Sequence, residues 1–493
     1  MKKLIIFFIV LLEAIKISRP MCGQDIGWHV VIGRWILAHG FPTVDQWNMY
    51  SEGVFRAYSW FPEIIYAIIE RYFGSLGLLS LELILFLSLG LTLVYIYTKM
   101  SKDLFMGTFL SLVTLSSFGE FATLRPQIIS WFCFAISIYL ANEVYENGWN
   151  KKRYLFTILT FIVLANSNIT TSVSIFAFCL IGFNGLKKDT YKLLLIPLIG
   201  TLITPYIGHE WSTFFHKINH PFAFNDIMEF KPLMIMSLGG ASIIVLTFLF
   251  CSLWHYYDSV LSKSKLFCLF VITLLAFLVC KFLPYATILC TSMICLIWRV
   301  DKGQKYLNFS DGINKLKKFL SYFEGTGLAF LLLCLCIVGV NSLIKKDRDR
   351  KFVYNLPNEA IKFIKENNLK SPILNSFDTG EALIYSFSNE KGEPSLKVPI
   401  DGRTNVTSPK VYKLFLKSFN GAEGWQDYIN FVKPKTILWE NHSPFVRLLT
   451  LDKENWCKVY ADNYGAMTND DKNRGFSVFI RRDSEDSEKL CLN

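Results

Sequence analysis

The chain has 493 residues, 52% hydrophobic and 16% aromatic, and its 51 lysines and arginines against 40 acidic residues give a formal net charge of +11. Its mean hydropathy is positive, too apolar for a soluble protein of this length, so the expected solvent is a bilayer and the soluble enzyme classes are excluded. The charge falls in blocks, in short loops between apolar runs and in the last third, which is a pattern of membrane topology and argues against a nucleic-acid partner.

The opening segment, MKKLIIFFIVLLEAIKISRPMCG, has the basic and apolar regions of a signal peptide, with Cys22 standing where a lipoprotein cysteine would. Lys16, Arg19 and Pro20 separate Cys22 from the apolar run and no small-x-small cleavage pattern follows, so the segment reads as an uncleaved first helix. Apolar runs suited to spanning lie near 4–18, 75–98, 104–119, 126–143, 154–168, 171–186, 191–207, 238–256, 265–281, 283–298 and 325–343, or about eleven transmembrane helices. With alternating crossings, Lys2/Lys3, Lys99/Lys102, Lys151/Lys152/Arg153, Lys187/Lys188/Lys192, Lys263/Lys265 and the basic run from Arg299 to Lys318 share one side. The positive-inside rule makes that side cytoplasmic. The chain then divides into a transmembrane domain over 1–344, whose first outer loop is 19–74, and an extracytoplasmic domain over 345–493.

Polar chemistry collects on the outer side. In the first outer loop, His29 to His39 and Pro62 to Phe73 are amphipathic and rich in Trp, Ile and Tyr, which suits helices lying in the interface plane. Most cysteines follow the apolar runs as small hydrophobes and no CxxC spacing occurs. Only Cys457 and Cys491 share the tail, leaving one bridge open there if the compartment is oxidising. After residue 345 helix-like PNEAIKFIKENN, GEALIYSF and WQDYINFV alternate with strand-like SPILNSF, KVPIDGR, KTILWE and FSVFIRR, the pattern of a soluble α/β domain. That tail has neither a GxGxxG nor a GxxxxGK[ST] phosphate loop.

Asp25 comes a few residues after the first helix should leave the membrane, where a carboxylate near low dielectric is costly without a job or a partner. It is either the N-cap of the next helix or a working group. Asp45, after Pro42, reads as a turn or capping residue with a catalytic role as the alternative. Arg125, at the outer end of a membrane helix, is an interfacial anchor or a ligand for a lipid phosphate, with Glu120 near enough to pair with it. His209, Glu210, His216, His220, Glu229 and Lys231 share one outer loop, and the spacings of its His and Glu residues fit no compact metal site. Asp401-Gly402-Arg403 reads as a turn with an adjacent ion pair, or as a contact to glycan.

The ordered set Asp25-x-Gly-Trp-His29, Gly33, Gly40-Phe-Pro42, Asp45, Trp60-Phe-Pro-Glu63 and Gly74-x-x-Gly77-Leu resembles bacterial members of the C-type glycosyltransferase superfamily, relatives of protein mannosyltransferases and lipid A aminoarabinose transferases. The likeness continues in Leu124-Arg125-Pro126-Gln127, in Ile227-Met-Glu229-Phe-Lys-Pro232, in Asn375-x-x-Asp378-x-Gly380 and in Ile400-Asp401-Gly402-Arg403, so it spans most of the chain. It implies a polytopic α-helical membrane protein with a C-terminal soluble α/β domain. It also implies transfer of a sugar from a polyprenyl-phosphate donor to an extracytoplasmic glycan, lipid or protein, with inversion. Asp25 would be the base that takes the acceptor proton. His29, Asp45, Glu63, Arg125, Glu229 and Lys281 are the substrate-binding candidates. No metal ligands and no particular cofactor are assigned, and a divalent cation stays open.

Two departures bear on that expectation. Where relatives often carry Trp-x-Asn-x-His-Gly-Gly at an outer helix end, this chain has Ala165-Asn166-Ser167-Asn168-Ile169-Thr170, without the histidine and glycines. Lys281 stands where relatives often have arginine, exchanging a bidentate phosphate contact for a point charge. The alternatives are a lipid or glycan translocator, against which the lack of internal repeats speaks, and a family member without catalysis that serves envelope glycan assembly.

Overall fold

The computed structural model describes residues 2–18, 25–52, 54–119, 121–208, 211–213, 230–233, 238–256, 261–304, 326–348, 357–403, 406–462, 475–484 and 487–491. Cys22, Glu120, His209, Glu210, His216, His220 and Glu229 lie outside them. The described residues divide into two compact units. One takes the first helix and the chain from 73 to 347. The other joins 25–72 to the tail, so the segment expected as the first outer loop groups with the tail and not with the helices it connects.

In the first unit every apolar run carries a helix: Lys2–Ile17, the part of Trp60–Ser101 beyond Gly74, Leu104–Ser117, Gln127–Asn147, Lys151–Ala165, Thr171–Gly182, Lys192–Leu202, Leu238–Tyr256, Lys263–Leu278, Leu283–Gln304 and Thr326–Arg348. Among the described residues, Trp60–Ser101, Gln127–Asn147 and Cys280–Val300 are long and apolar enough to cross a membrane. Capping residues at three of the basic turns start the next helix. Asp103 accepts from the Phe105 and Met106 amides, Asn150 from Arg153 and Ser262 from Lys265, satisfying N–H groups that a helix leaves over. Inside, the Tyr97 hydroxyl meets Thr291 Oγ1 at 2.6 Å and Thr114 Oγ1 at 3.3 Å, tying three helices through polar groups that have no water to turn to.

The second unit is built on a four-stranded sheet, β1 (Ile373–Asn375), β2 (Thr436–Glu440), β3 (Trp456–Ala461) and β4 (Phe476–Arg481), in the order β1-β2-β4-β3. β1 and β2 run parallel, and β4 is antiparallel to both β2 and β3. Strands β1, β2 and β4 are buried on both faces, as their largely apolar sequences require, while the edge strand β3 is exposed at Lys458 and Ala461. Alternate residues separate accordingly: Ile373, Leu438, Val478 and Ile480 face one core, Leu374, Ile437, Trp439 and Phe479 the other. Helices Pro409–Phe419, Gln426–Val432 and Pro444–Leu451 fill the second core. The first core takes Asn358–Glu366 and Gly380–Ser386 from the tail together with Ile26–His39 from the outer loop.

That last helix corrects one expectation. Its apolar stripe, which suited a helix in the lipid interface, is spent within the protein: Trp28, Val31, Ile32 and Ile36 bury against Leu383, Ile384 and Val398. KVPIDGR is not a strand either. Val398 makes an isolated parallel bridge to Asn48, and Pro399, which has no amide hydrogen, follows it at once. The open question over the two tail cysteines closes on a bridge, Cys457–Cys491, with Cα atoms 5.8 Å apart.

Candidate active site

Asp25 stands at the N-cap position of Ile26–His39, yet its carboxylate makes no capping bond to that helix. The cap comes from 354 residues away. The Gly27 amide donates to Glu381 Oε1 at 2.6 Å, in buried surroundings. Trp28 Nε1 reaches Asp25 Oδ1 at 3.3 Å, and a Cβ built on Gly402 would lie 3.4 Å from the same oxygen. Asp25 therefore lies against the Asp401-Gly402-Arg403 segment of the tail.

One turn along the helix, His29 Nδ1 and Glu63 Oε1 are 2.8 Å apart and buried. Gly33 makes this pairing feasible, because a Cβ there would come within 2.0 Å of the Glu63 carbonyl oxygen. Further on, Arg34 donates to Glu70 Oε2 and Tyr385 to Glu70 Oε1, both at 2.7 Å. His29 and Glu63 are thus paired with each other.

Asp45 has two tasks. Its Oδ1 accepts from the Trp47 and Asn48 amides at 3.1 and 2.6 Å, forming an Asx turn, while Oδ2 accepts from Arg403 Nη1 at 2.6 Å. Arg403 also grips Asp401, with Nε to Oδ1 at 2.8 Å and Nη2 to Oδ2 at 3.0 Å, and lies over the Trp47 and Phe55 rings. Asn48 Nδ2 adds a bond to Asp401 Oδ2 at 3.0 Å. Burial alone would raise the Asp401 carboxyl, but the Arg403 charge and these bonds hold it below the usual carboxylate range. The triad clasps the outer loop to the tail and fixes the segment beside Asp25.

At the carboxyl ends of the parallel strands, Ser376 Oγ donates to Glu440 Oε1, while Glu440 Oε2 and Asn375 Oδ1 are buried with no hydrogen-bond partner among the described residues. Burial pushes the Glu440 carboxyl up to about 7. Its raised folded value means that folding favours the protonated acid, so the native state is stabilised fully below the unfolded value of 4.5 and loses that contribution as pH rises through about 7. Glu440→Gln is expected to flatten the stability profile in that window and to gain on the order of 3 kcal/mol over the parent at pH 8, read by denaturant unfolding of the full chain.

In the helical unit, Arg125 is half-buried just before Gln127–Asn147, its carbonyl accepting from the Ile128 amide. Lys281 lies in the short 3₁₀ turn Cys280–Phe282, where the chain breaks between Lys263–Leu278 and Leu283–Gln304. Its Nζ stands 5.0 Å from the Phe230 ring centroid, and the Cys280 and Leu233 amides donate to Lys231 and Phe277 carbonyls at 3.0 Å. The described end of the Ile227 to Pro232 motif is therefore packed on the Lys281 turn. At the departing turn, Asn166 Nδ2 donates to the Ile162 and Ile203 carbonyls at 2.7 and 2.9 Å, and the Tyr285 hydroxyl donates to Thr170 Oγ1 at 2.8 Å.

The structure thus gathers Asp25, His29, Asp45 and Glu63 in one unit, and Arg125 and Lys281 in the other. Glu381, Asn48 and Glu440 were not singled out in the sequence, and Arg403 was read there as part of a turn with an adjacent ion pair or of a contact to glycan. Glu381 gave no signal, because an acidic residue in the first turn of a helix reads as a partner of its own helix dipole.

No protein-family model and no curated protein sequence matches the chain. Solved structures do. The Archaeoglobus fulgidus oligosaccharyltransferase tethered to an acceptor peptide with the NVT sequon is similar with a TM-score of 0.53 at 12% identity, over 93% of this chain and 72% of that one. Its apo form gives 0.54 at 12% identity, over 97% and 74%. The chain shares the fold of that oligosaccharyltransferase and, among its described residues, has helices long and apolar enough to cross a membrane.

Proposed function

We propose that this chain is an integral glycosyltransferase of the cytoplasmic membrane, with about eleven crossings, a cytoplasmic N-terminus and an extracytoplasmic tail. It takes a sugar from a polyprenyl-phosphate donor and passes it, with inversion, to an outer glycan, lipid or protein. Asp25 is the base, and Arg125 or Lys281 binds the donor phosphate. The observation that carries this reading is the state of Asp25: an aspartate at an N-cap position whose capping task is done by another carboxylate. A base must be held in place, and this carboxylate meets Trp28 Nε1 and is not spent on capping its own helix. The fold shared with an oligosaccharyltransferase supports the same class of chemistry, and the Cys457–Cys491 bridge suits an oxidising outer compartment.

The second reading is a family member without catalysis, favoured by the turn at Asn166 to Thr170, whose Asn166 and Thr170 side chains are engaged in bonds within the bundle. Crosslinking of a photoactivatable polyprenyl-phosphate analogue tests the donor assignment. The analogue is expected to label the parent protein, with labelling cut about tenfold by either Arg125→Ala or Lys281→Ala, as losing a charge-assisted contact of one to two kcal/mol implies. Labelling unchanged in both variants would remove both residues from the phosphate site.

A further inference from the structure

We propose that Glu381 is a positioning residue for Asp25, an assignment that rests on reading Asp25 as the base. An aspartate at an N-cap position ordinarily turns its carboxylate onto the amides of the first turn. Asp25 does not. Its backbone is in the helical region, at φ −106° and ψ −14°, and its side chain makes no capping bond. Glu381 takes over at the Gly27 amide, 2.6 Å away, in a close fit that the lack of a side chain at residue 27 eases: a Cβ there would lie 3.0 Å from Glu381 Oε1 and 3.1 Å from Tyr385 Cβ. With the helix start satisfied from the tail, the Asp25 carboxylate is directed to Trp28 Nε1 and the Gly402 edge.

Removing the Glu381 carboxylate leaves an orphan amide beside a residue type well suited to cap it. Asp25 then rotates onto the helix, where hydrogen bonds and the positive helix end favour its ionised form and weaken it as a base. The other charged or titratable groups described around this helix are His29, Arg34 and His39 on the helix itself, Glu63 and Glu70 on the start of Trp60–Ser101, Tyr385 beside Glu381, Glu393 paired with His39, and Asp401 and Arg403 next to Gly402. These groups are engaged with one another, and Glu381 accepts from the first turn of the helix.

The full-length protein in lipid nanodiscs, labelled with carboxyl-¹³C aspartate, lets Asp25 be titrated, its resonance assigned by its loss in Asp25→Asn. Glu381→Ala should move the Asp25 titration to lower pH. Glu381→Gln, which keeps an acceptor for Gly27, should move it less. If the alanine variant fails to fold, Glu381→Asp, one methylene short of the amide, serves in its place. With an undecaprenyl-phosphate hexose as donor, Glu381→Ala should lower kcat about tenfold, a fraction of what a general base contributes, with KM unchanged and the acid limb of the profile moved the same way. The glutamine variant should recover most of that loss. A purely structural role would lower the yield or the melting temperature without moving the Asp25 titration. An Asp25 titration that stays in place in Glu381→Ala overturns the assignment. Sugar transfer that survives in Asp25→Asn overturns the base instead, leaving the titration shift to decide Glu381 on its own.

Discussion

Asp25→Asn should abolish sugar transfer, with a loss of kcat between about a hundredfold and ten-thousandfold, while the protein folds and binds donor as before. Asparagine keeps the size and one acceptor oxygen, so the Trp28 contact survives, and the helix start is held by Glu381 in any case. What disappears is the group able to accept a proton. The measurement is single-turnover transfer by purified protein, with thermal unfolding alongside. A variant that transfers sugar at the parent rate would move the base to another residue.

Arg403→Met should have the largest effect on stability. The guanidinium is 1% exposed and holds two fully buried carboxylates, Asp45 and Asp401, so its removal strands both. Breaking a buried pair from one side costs about 3 to 5 kcal/mol, and here two partners lose it. Loss should be local at first. The Met49 and Val398 amides, whose bonds to Val398 and Trp47 sew the outer loop to the tail, should exchange hydrogen faster in the variant by a factor matching that cost. Arg403→Lys should recover little, because an ammonium cannot span two carboxylates with a planar fork. Exchange rates at these two amides equal to those of the parent would show that the clasp contributes nothing. Acid should loosen it too. The Asp401 carboxyl lies below its usual value in the folded state, so its contribution is present above the unfolded value and fades as pH falls through the folded one.

Much of the helical unit was legible because lipid imposes a simple code: long apolar runs, broken by basic turns with capping residues, give helices where the hydropathy falls. The tail was legible where period and length agreed, as at KTILWE and FSVFIRR, which became β2 and β4. β3 and the helices Pro409–Phe419 and Pro444–Leu451 were not read, since WCKVYA mixes polar and apolar residues and each of these helices opens on a proline that looks like a loop. The outer loop was misread in its partner and not in its shape. An amphipathic helix announces that it must bury one face, but not whether lipid or protein will cover it.

The site divides in the same way. Asp25 stood out because a carboxylate at a membrane exit is costly, whereas the group that relieves it of capping, Glu381, is a product of tertiary structure alone. Asp45 and Arg403 are ordinary turn residues in sequence and become one buried cluster only when 358 residues of separation are closed. Long-range pairing of this kind has no period or spacing from which to read it.

The most direct test of the glycosyltransferase assignment is time-resolved release of free polyprenyl phosphate from purified protein in nanodiscs, supplied with undecaprenyl-phosphate sugars and a mixture of outer-envelope glycans, lipids and proteins. Sugar transfer predicts release that depends on the acceptor mixture, matches the sugar transferred mole for mole and disappears in Asp25→Asn. A donor that crosses the membrane or stays bound with its sugar intact, under every acceptor tried, would contradict it.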